Sequence, residues 1–385
     1  MVARKLEDIL RQFHVDAKLG FLLSNPLTQL PKAFQPWHSI VDELPTLIES
    51  GSIDERIASL PVIATDQLKS DRELRLAHLL LVTLAAAHVW SKGTDKAGYY
   101  VRLSIPAQIS MPLVSVSDRL GLKPIVCHAS ACLANWRYRP GVDPNSRFRA
   151  EDISLIAFRF ISHPGNEWFF TITAQMETEL ARGLVAIADA CFNCHLSVNT
   201  LTDIRYSLDT AAATFQRMKE RLPPDVFYYG FRHFLSGYTQ GDFVQQGGII
   251  LEGEEERGPQ FLNGGSAAQS SALHVYDAFL GVEHSGPERE YLEKQWEYMP
   301  PEHREFIKWV RQSALQVEHL NDAPGYAETV AALRHFRCEH IKVVLTNAII
   351  DVTSYIVAPA KADNPGVGTG GTSFMKLLKT IRDDC

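Results

Sequence analysis

Cysteine is scarce and unpatterned in this chain. Its six residues, Cys127, Cys132, Cys191, Cys194, Cys338 and Cys385, form no disulfide framework, which excludes a stapled secreted scaffold and fits a reducing compartment. No long apolar run is present either. The most hydrophobic early stretch, Leu76–Val89, carries His78 and His88 and falls short of the roughly 20 residues a bilayer requires. Basic charge is also in deficit: 38 Lys and Arg stand against 45 Asp and Glu, a net charge of -7, so no field exists to attract nucleic acid or an anionic membrane. The segment Met1–Leu10 lacks an apolar run with a small-residue cleavage site. A cytoplasmic protein with neither nucleic-acid nor membrane partners is expected. G-x-S-x-G, H-E-x-x-H and the kinase motifs are missing as well, which removes the commonest hydrolase, zinc-protease and phosphotransfer readings.

What is present is helical pattern. The 385 residues are 45% hydrophobic, enough for a large core. Apolar positions recur at three-and-four spacing over Leu6–Leu23, Trp37–Leu60, Leu68–Trp90, Pro124–Asn135, Trp168–Cys194, Ser197–Glu220, Pro224–Leu235, Gln269–Leu280, Pro301–Arg311 and Tyr326–Asp351. Breakers separate many of them, among them Pro140-Gly141, Pro223-Pro224, Gly247-Gly248, Asn263-Gly264-Gly265 and Pro300-Pro301. Strand signals are limited to Ser154–Ile161 and Gly247–Leu251, and the prolines between Gly98 and Pro124 read as extended or irregular chain. The fold expected is mainly α: a small N-terminal helical domain over 1–120 and a larger all-helical domain over 121–385. A glycine-rich loop at 360–372 then leads into a short helix from Ser373.

Several constellations could carry chemistry. On a helix through Tyr326–Asp351, His340 shares a face with Leu333, Phe336, Val343 and Val344. An imidazole on an apolar face needs a partner, and a metal would serve. A histidine satisfied within the core is the commoner outcome, so periodicity leaves ligation open. Arg337, one turn back, could meet an acidic cofactor group or serve as an ordinary ion-pairing arginine. Cys191-Phe192-Asn193-Cys194-His195 matches the C-x-x-C-H pattern of covalent heme attachment, yet it continues an amphipathic helix and no export signal accompanies it. It reads as coincidence. Phe227-Tyr228-Tyr229-Gly230-Phe231-Arg232 joins aromatics to one cation, which would suit a planar ligand with a carboxylate, although core aromatics beside a surface arginine are commoner.

Taken in order, four blocks resemble the indoleamine 2,3-dioxygenase family of heme enzymes. They are Cys132-Leu133-Ala134-Asn135-Trp136, Gly264-Gly265-Ser266-Ala267, Tyr298-Met299-Pro300-Pro301-Glu302-His303-Arg304 and Gly368-Thr369-Gly370-Gly371-Thr372. Weaker matches at Trp90-Ser91-Lys92-Gly93, Phe169-Phe170 and Leu235-Ser236-Gly237 extend the likeness from about residue 10 to the C-terminus. The resemblance implies heme b, ferrous when active, with His340 as proximal ligand and Arg337 at a propionate. It implies a substrate pocket with Phe169 and Phe227 as walls, Arg232 for a carboxylate, Ser266 and Ala267 as small distal residues lying against both cofactor and substrate, and Thr369 on a mobile loop. The activity implied is cleavage of the indole C2–C3 bond of tryptophan or a related indoleamine by O2 to N-formylkynurenine, the first step of the kynurenine pathway. An electron donor would keep the heme reduced, the protein would be a monomer, and no side chain would act as acid or base. The alternative implied is a myoglobin-like oxygen carrier descended from such an enzyme. Four positions depart from the family pattern: His128 replaces a tyrosine, Ala131 a cysteine, Thr173 a serine and Tyr228 a phenylalanine. His128 would add a titratable donor near the substrate's ring.

Overall fold

A computed structural model describes residues 5–91, 94–95, 98–99, 101–348 and 374–385. Helices dominate. In the N-terminal part they are α1 Leu6–Gln12, α2 Gln35–Asp42, α3 Leu44–Glu49, α4 Ile53–Ala58, α5 Asp71–Trp90 and α6 Ala107–Leu120. The remainder comprises α7 His128–Ala131, α8 Pro164–Glu179, α9 Ala181–Asn193, α10 Thr200–Gln216, α11 Asp242–Gln246, α12 Ser271–Phe279, α13 Gly286–Gln295, α14 Pro301–Ala314, α15 Tyr326–Ala348 and α16 Phe374–Asp383. Strands occur only as two-residue pairs among the described residues: Thr94–Asp95 with Gly98–Tyr99, Ser104–Ile105 with Ile250–Leu251, and Arg137–Tyr138 with Ile153–Ser154.

Helix α5 shows how local chemistry starts an element. Ser70 Oγ accepts from the Glu73 N–H at 3.3 Å, and the Glu73 carboxylate accepts from the Ser70 N–H at 2.9 Å, a reciprocal cap. By length and composition α5 could cross a bilayer, but most of its residues are packed inside the protein against α2, α4 and α6. Helix α14 opens on Pro301, where a missing N–H costs nothing. Helix α10 packs on α8, α9 and α15. Buried apolar side chains from Ile9 to Val343 form one contiguous cluster.

Several expectations are corrected. Within 98–124 the stretch 107–120 is helical, not extended or irregular: α6 runs through Pro112, with Ile109, Leu113, Val116 and Leu120 buried at helical spacing against α5. Tertiary packing outweighs the proline. The pattern over Trp168–Cys194 belongs to two helices, because the Ser207 hydroxyl accepts the Gly183 N–H at 2.8 Å and takes that donor out of the backbone ladder where one long helix would continue. The Leu180 carbonyl keeps its bond from the Leu184 N–H at 3.1 Å and accepts the Tyr276 hydroxyl as a second donor at 2.9 Å. Trp37–Leu60 breaks into α2, α3 and α4, with Pro45 in the first turn of α3. Pro124–Asn135 contributes only the single turn α7, and Leu6–Leu23 only α1, after which His14 takes a φ of 55°. Pro224–Leu235 is a π-helical turn, Val226–Phe231, followed by a 3-10 turn, Arg232–Leu235. Helix α13, rich in charge, had no apolar period to announce it.

Backbone proximity sets one further constraint. The segments 235–238 and 262–265 lie side by side, with the Gly265 N–H donating to the Leu235 carbonyl at 3.0 Å and the Tyr238 N–H to the Leu262 carbonyl at 2.7 Å. A Cβ on Gly264 would meet that Leu235 oxygen at 2.1 Å and the Gly237 nitrogen at 2.5 Å. Neither atom can swing aside. Gly264→Ala is expected to destabilise the protein by about 2 kcal/mol or more, read as a lowered Tm; an unchanged Tm would show that these segments can separate freely.

Candidate functional site

A cavity of about 290 Å³ opens between α7, α8, the π-helical turn, the 265–270 loop, α12, α15 and α16. His340, Arg337, Arg232, Phe169, Phe227 and His128 all line it, as do Thr173, Ser266 and Ala267. Residues scattered over two hundred positions of chain thus share one wall. Thr369, expected over the pocket, falls outside the described residues.

The His340 ring faces the cavity and packs 5.3 Å from the Phe215 ring, with Phe336 and Val343 beside it. Burial, and secondarily the Arg337 charge, push its pKa down to about 4. The imidazole is therefore neutral at ordinary pH and keeps a lone pair for a metal. Among the described residues no group of three or more His, Cys, Asp or Glu side chains gathers to hold an ion. One neutral imidazole on an apolar wall fits an iron that brings its own ring of ligands, as in heme, better than a bare ion. The residues present fit that group.

Arg337 has a partner that the sequence reading did not foresee. Its Nη2 donates to both oxygens of Asp277 on α12 at 2.6 and 2.7 Å, and Nη1 lies 2.5 Å from the Cys385 sulfur. Burial alone would raise the Asp277 pKa; Arg337 and His284 outweigh it and hold the carboxyl below its usual range. His284 in turn spans Asp277 at 3.3 Å and Asp384 at 2.7 Å, which draws the end of α16 to the cavity, where Leu378 and Ile381 complete the wall.

The opposite part of the wall is built on α7, α8 and the 265–270 loop. Phe169 on α8 packs 5.1 Å from Phe227 and 5.6 Å from Phe231. Two turns along the same helix, Glu177 accepts from His128 Nε2 at 2.9 Å and from the Ser270 hydroxyl at 2.7 Å. Burial would lower the His128 pKa, but Cys132 and Glu177 together raise it well above the ordinary value, so the ring carries charge. Thr173 donates its hydroxyl to the Phe169 carbonyl at 2.8 Å and so has no donor left for a ligand, while its oxygen can still accept. Gln269 knits the loop in place: its Oε1 accepts the His128 N–H at 3.0 Å, and its Nε2 donates to the Gly264 carbonyl at 2.9 Å and to Gln295 at 3.0 Å. Ser266 caps the following turn by accepting from the Ala268 N–H at 3.2 Å.

Two assignments need correction or closure. Tyr228, expected as a pocket wall, does not line the cavity; its ring lies beneath the Arg232 guanidinium, 5.3 Å from centroid to Cζ. In the wider π-helical turn Phe227 lines the cavity and Phe231 is buried against Phe169 and Phe227, while Tyr228 braces Arg232 by a cation–π contact. Cys191 and Cys194 of the C-x-x-C-H match carry free thiols at the end of α9 and line no part of the cavity. Sequence reasoning missed Glu177, Asp277, Ser270 and Gln269. Asp277 left one signal, being the only charged side chain in the apolar helix Ser271–Phe279.

Comparison with known proteins follows the same lines. A family model described as indoleamine 2,3-dioxygenase matches residues 9–385. The chain is 33% identical to indoleamine 2,3-dioxygenase 2 of Homo sapiens and 33% identical to indoleamine 2,3-dioxygenase 1 of Mus musculus, each over 97% of this chain and 94% of the relative. It is also 31% identical to a myoglobin of Haliotis diversicolor, over 97% of both chains.

Acid should unfold this protein through its buried neutral histidines. His78, whose Nδ1 accepts from Ser130 at 2.7 Å and whose Nε2 donates to the Lys123 carbonyl at 3.1 Å, has its pKa lowered from 6.5 to about 4, chiefly by burial. Below pH 6.5 the unfolded chain takes up the proton first, so stability falls as pH drops from 6.5 to about 4. The loss is about 3 kcal/mol for each fully shifted histidine. Urea midpoints should fall over that window and fall less in His78→Gln; parallel profiles for the two proteins would reject the assignment.

Proposed function

The chain belongs to the indoleamine 2,3-dioxygenase family, and we propose that its cavity holds heme b on His340 and cleaves the indole C2–C3 bond of tryptophan or a related indoleamine with O2. The observation that carries this reading is the convergence on one apolar cavity of a neutral imidazole, a cation beside aromatic rings, and small distal residues. Bound heme supplies the oxygen chemistry, adding both atoms of O2 across the C2–C3 bond to yield N-formylkynurenine, the first step of the kynurenine pathway. The protein supplies position. Arg232, braced by Tyr228, grips the substrate carboxylate, and Phe169 and Phe227 wall the indole and exclude water. Ser266 and Ala267, as small residues on the wall, leave room for the ligand, and the resemblance assigns Thr369 to the substrate amine. Arg337, fixed by Asp277, would pair with a heme propionate. No side chain acts as acid or base; the electron-rich indole makes one unnecessary.

The same proposal takes the heme as ferrous in the active state, kept so by an electron donor, in a cytoplasmic monomer, with the division between its two helical units near residue 120. The similarity to a myoglobin favours one rival, an oxygen carrier without turnover. Arg232 on the cavity wall argues against it, because an oxygen store has no use for a carboxylate grip.

His340→Ala should abolish stoichiometric heme binding, read from the Soret absorbance of protein reconstituted with hemin. A full Soret band and normal turnover would eliminate the ligand assignment. Arg232→Ala should retain heme and lower kcat/KM for tryptophan by about 10²-fold, the worth of a charge-assisted bidentate contact. An unaltered kcat/KM would remove Arg232 from the site. Heme-replete protein that forms no N-formylkynurenine under reduction would favour the oxygen carrier.

A further inference from the structure

Helix α8 acts as a ruler along the cavity. Phe169, Thr173 and Glu177 recur at four-residue spacing on one face, and Phe169 and Glu177 are separated by about 12 Å of helix rise. At the Phe169 end lie Phe227 and, a few residues on, Arg232. At the Glu177 end lies His128. A substrate held by its carboxylate at Arg232, with its indole against Phe169 and Phe227, extends the benzo edge of that ring toward His128.

The cavity lining there includes Ala131, on the same short helix as His128, and Met176, next to Glu177 on α8. His128 is 6% exposed and its ring is fixed from behind by Glu177, which is 1% exposed and also receives the Ser270 hydroxyl. The second Glu177 oxygen is buried without a hydrogen-bond partner among the described residues, so the imidazolium is the cation that compensates this carboxylate. Other ionisable neighbours do not take that role: burial and Arg75 keep His303 neutral, and Arg75 donates to the Ala129 carbonyl at 2.9 Å. With Nε2 committed to Glu177, the remaining ring N–H of His128 has the Cys132 thiol for company, a weak acceptor. A buried cationic donor on a substrate cavity without a strong acceptor favours a ligand oxygen. Sites that hydrogen-bond a substrate hydroxyl also discriminate strongly against the analogue that lacks it, because the protein group is then left unpaired.

We propose that His128, positioned by Glu177 and Ser270, selects indole substrates that carry a hydroxyl on the benzo ring. This rests on the dioxygenase reading and names the substrate class of that same cavity. His128 donates to the hydroxyl oxygen and takes no part in the oxygen chemistry.

The test uses the reduced holoenzyme and compares kcat/KM for ring-hydroxylated tryptophans, one regioisomer at a time, with that for tryptophan, alongside Kd values from equilibrium dialysis. At least one regioisomer should be preferred by about 10-fold or more in both ratios. His128→Phe, which keeps a planar ring and removes the donor, should bring the ratio to about 1. His128→Asn, which returns an N–H near the original position, should restore part of it. His128→Phe combined with Glu177→Gln covers the case in which the single variant fails to fold for want of charge compensation, and Soret absorbance and Tm report folding. A wild-type ratio at or below 1 for every regioisomer, or a ratio that survives His128→Phe, overturns the proposal. Failure to turn over any indole would instead remove the dioxygenase reading, and the Kd ratios would still decide the role of His128.

Discussion

The contact on which the site depends most is the buried pair of Arg337 and Asp277. Arg337 lies one helical turn from His340, and its guanidinium cannot be left uncompensated inside the protein. Asp277 meets it from α12, so α15 is held in one rotational setting, with Leu333, Phe336, His340 and Val343 turned inward. His284 and Asp384 extend the network to α16, whose Leu378 and Ile381 close the cavity. A hydrophobic face alone would permit α15 to roll; a buried guanidinium whose Nη2 reaches both oxygens of one carboxylate does not. The lone imidazole is thereby aimed by electrostatics as much as by packing.

The wall facing it uses the same economy of polar contacts in an apolar cavity. His128 and Ser270 both donate to one oxygen of Glu177, and Gln269 ties His128 to Gly264 and Gln295. Thr173 spends its hydroxyl on its own helix. The polar groups with something left to offer a ligand are therefore few and lie apart along α8. A planar, amphipathic molecule is the shape such a cavity accommodates.

Much of this was legible in the sequence, and the reason differs from element to element. Helix α5 carried its own cap at Ser70 and Glu73, α14 its proline at the first turn, and α15 a face whose period persists over many residues. Local chemistry determines these, so a linear reading finds them. The split between α8 and α9 was hidden because its cause, the Ser207 hydroxyl, comes from the distant helix α10. Helix α6 was hidden because Pro112 argues locally against a helix that burial on α5 enforces. Among site residues, His340, Arg232 and the phenylalanines drew attention through pattern and resemblance. Glu177 and Asp277 did not, because a carboxylate in a helix looks like a solvated side chain until its buried partner is known.

The π-helical turn at Val226–Phe231 carries a consequence of its own. Such a turn holds one more residue than an α-helical turn, so a change of one residue in length can be absorbed inside it. Deleting a single residue there would let the turn close to ordinary α-helical geometry, with the chain on either side keeping its direction. Arg232 would stay at the cavity, while the aromatic side chain set against Phe169 would change. In a family whose members use one scaffold for different ends, a one-codon change in length at this turn is a short route from one ligand to another.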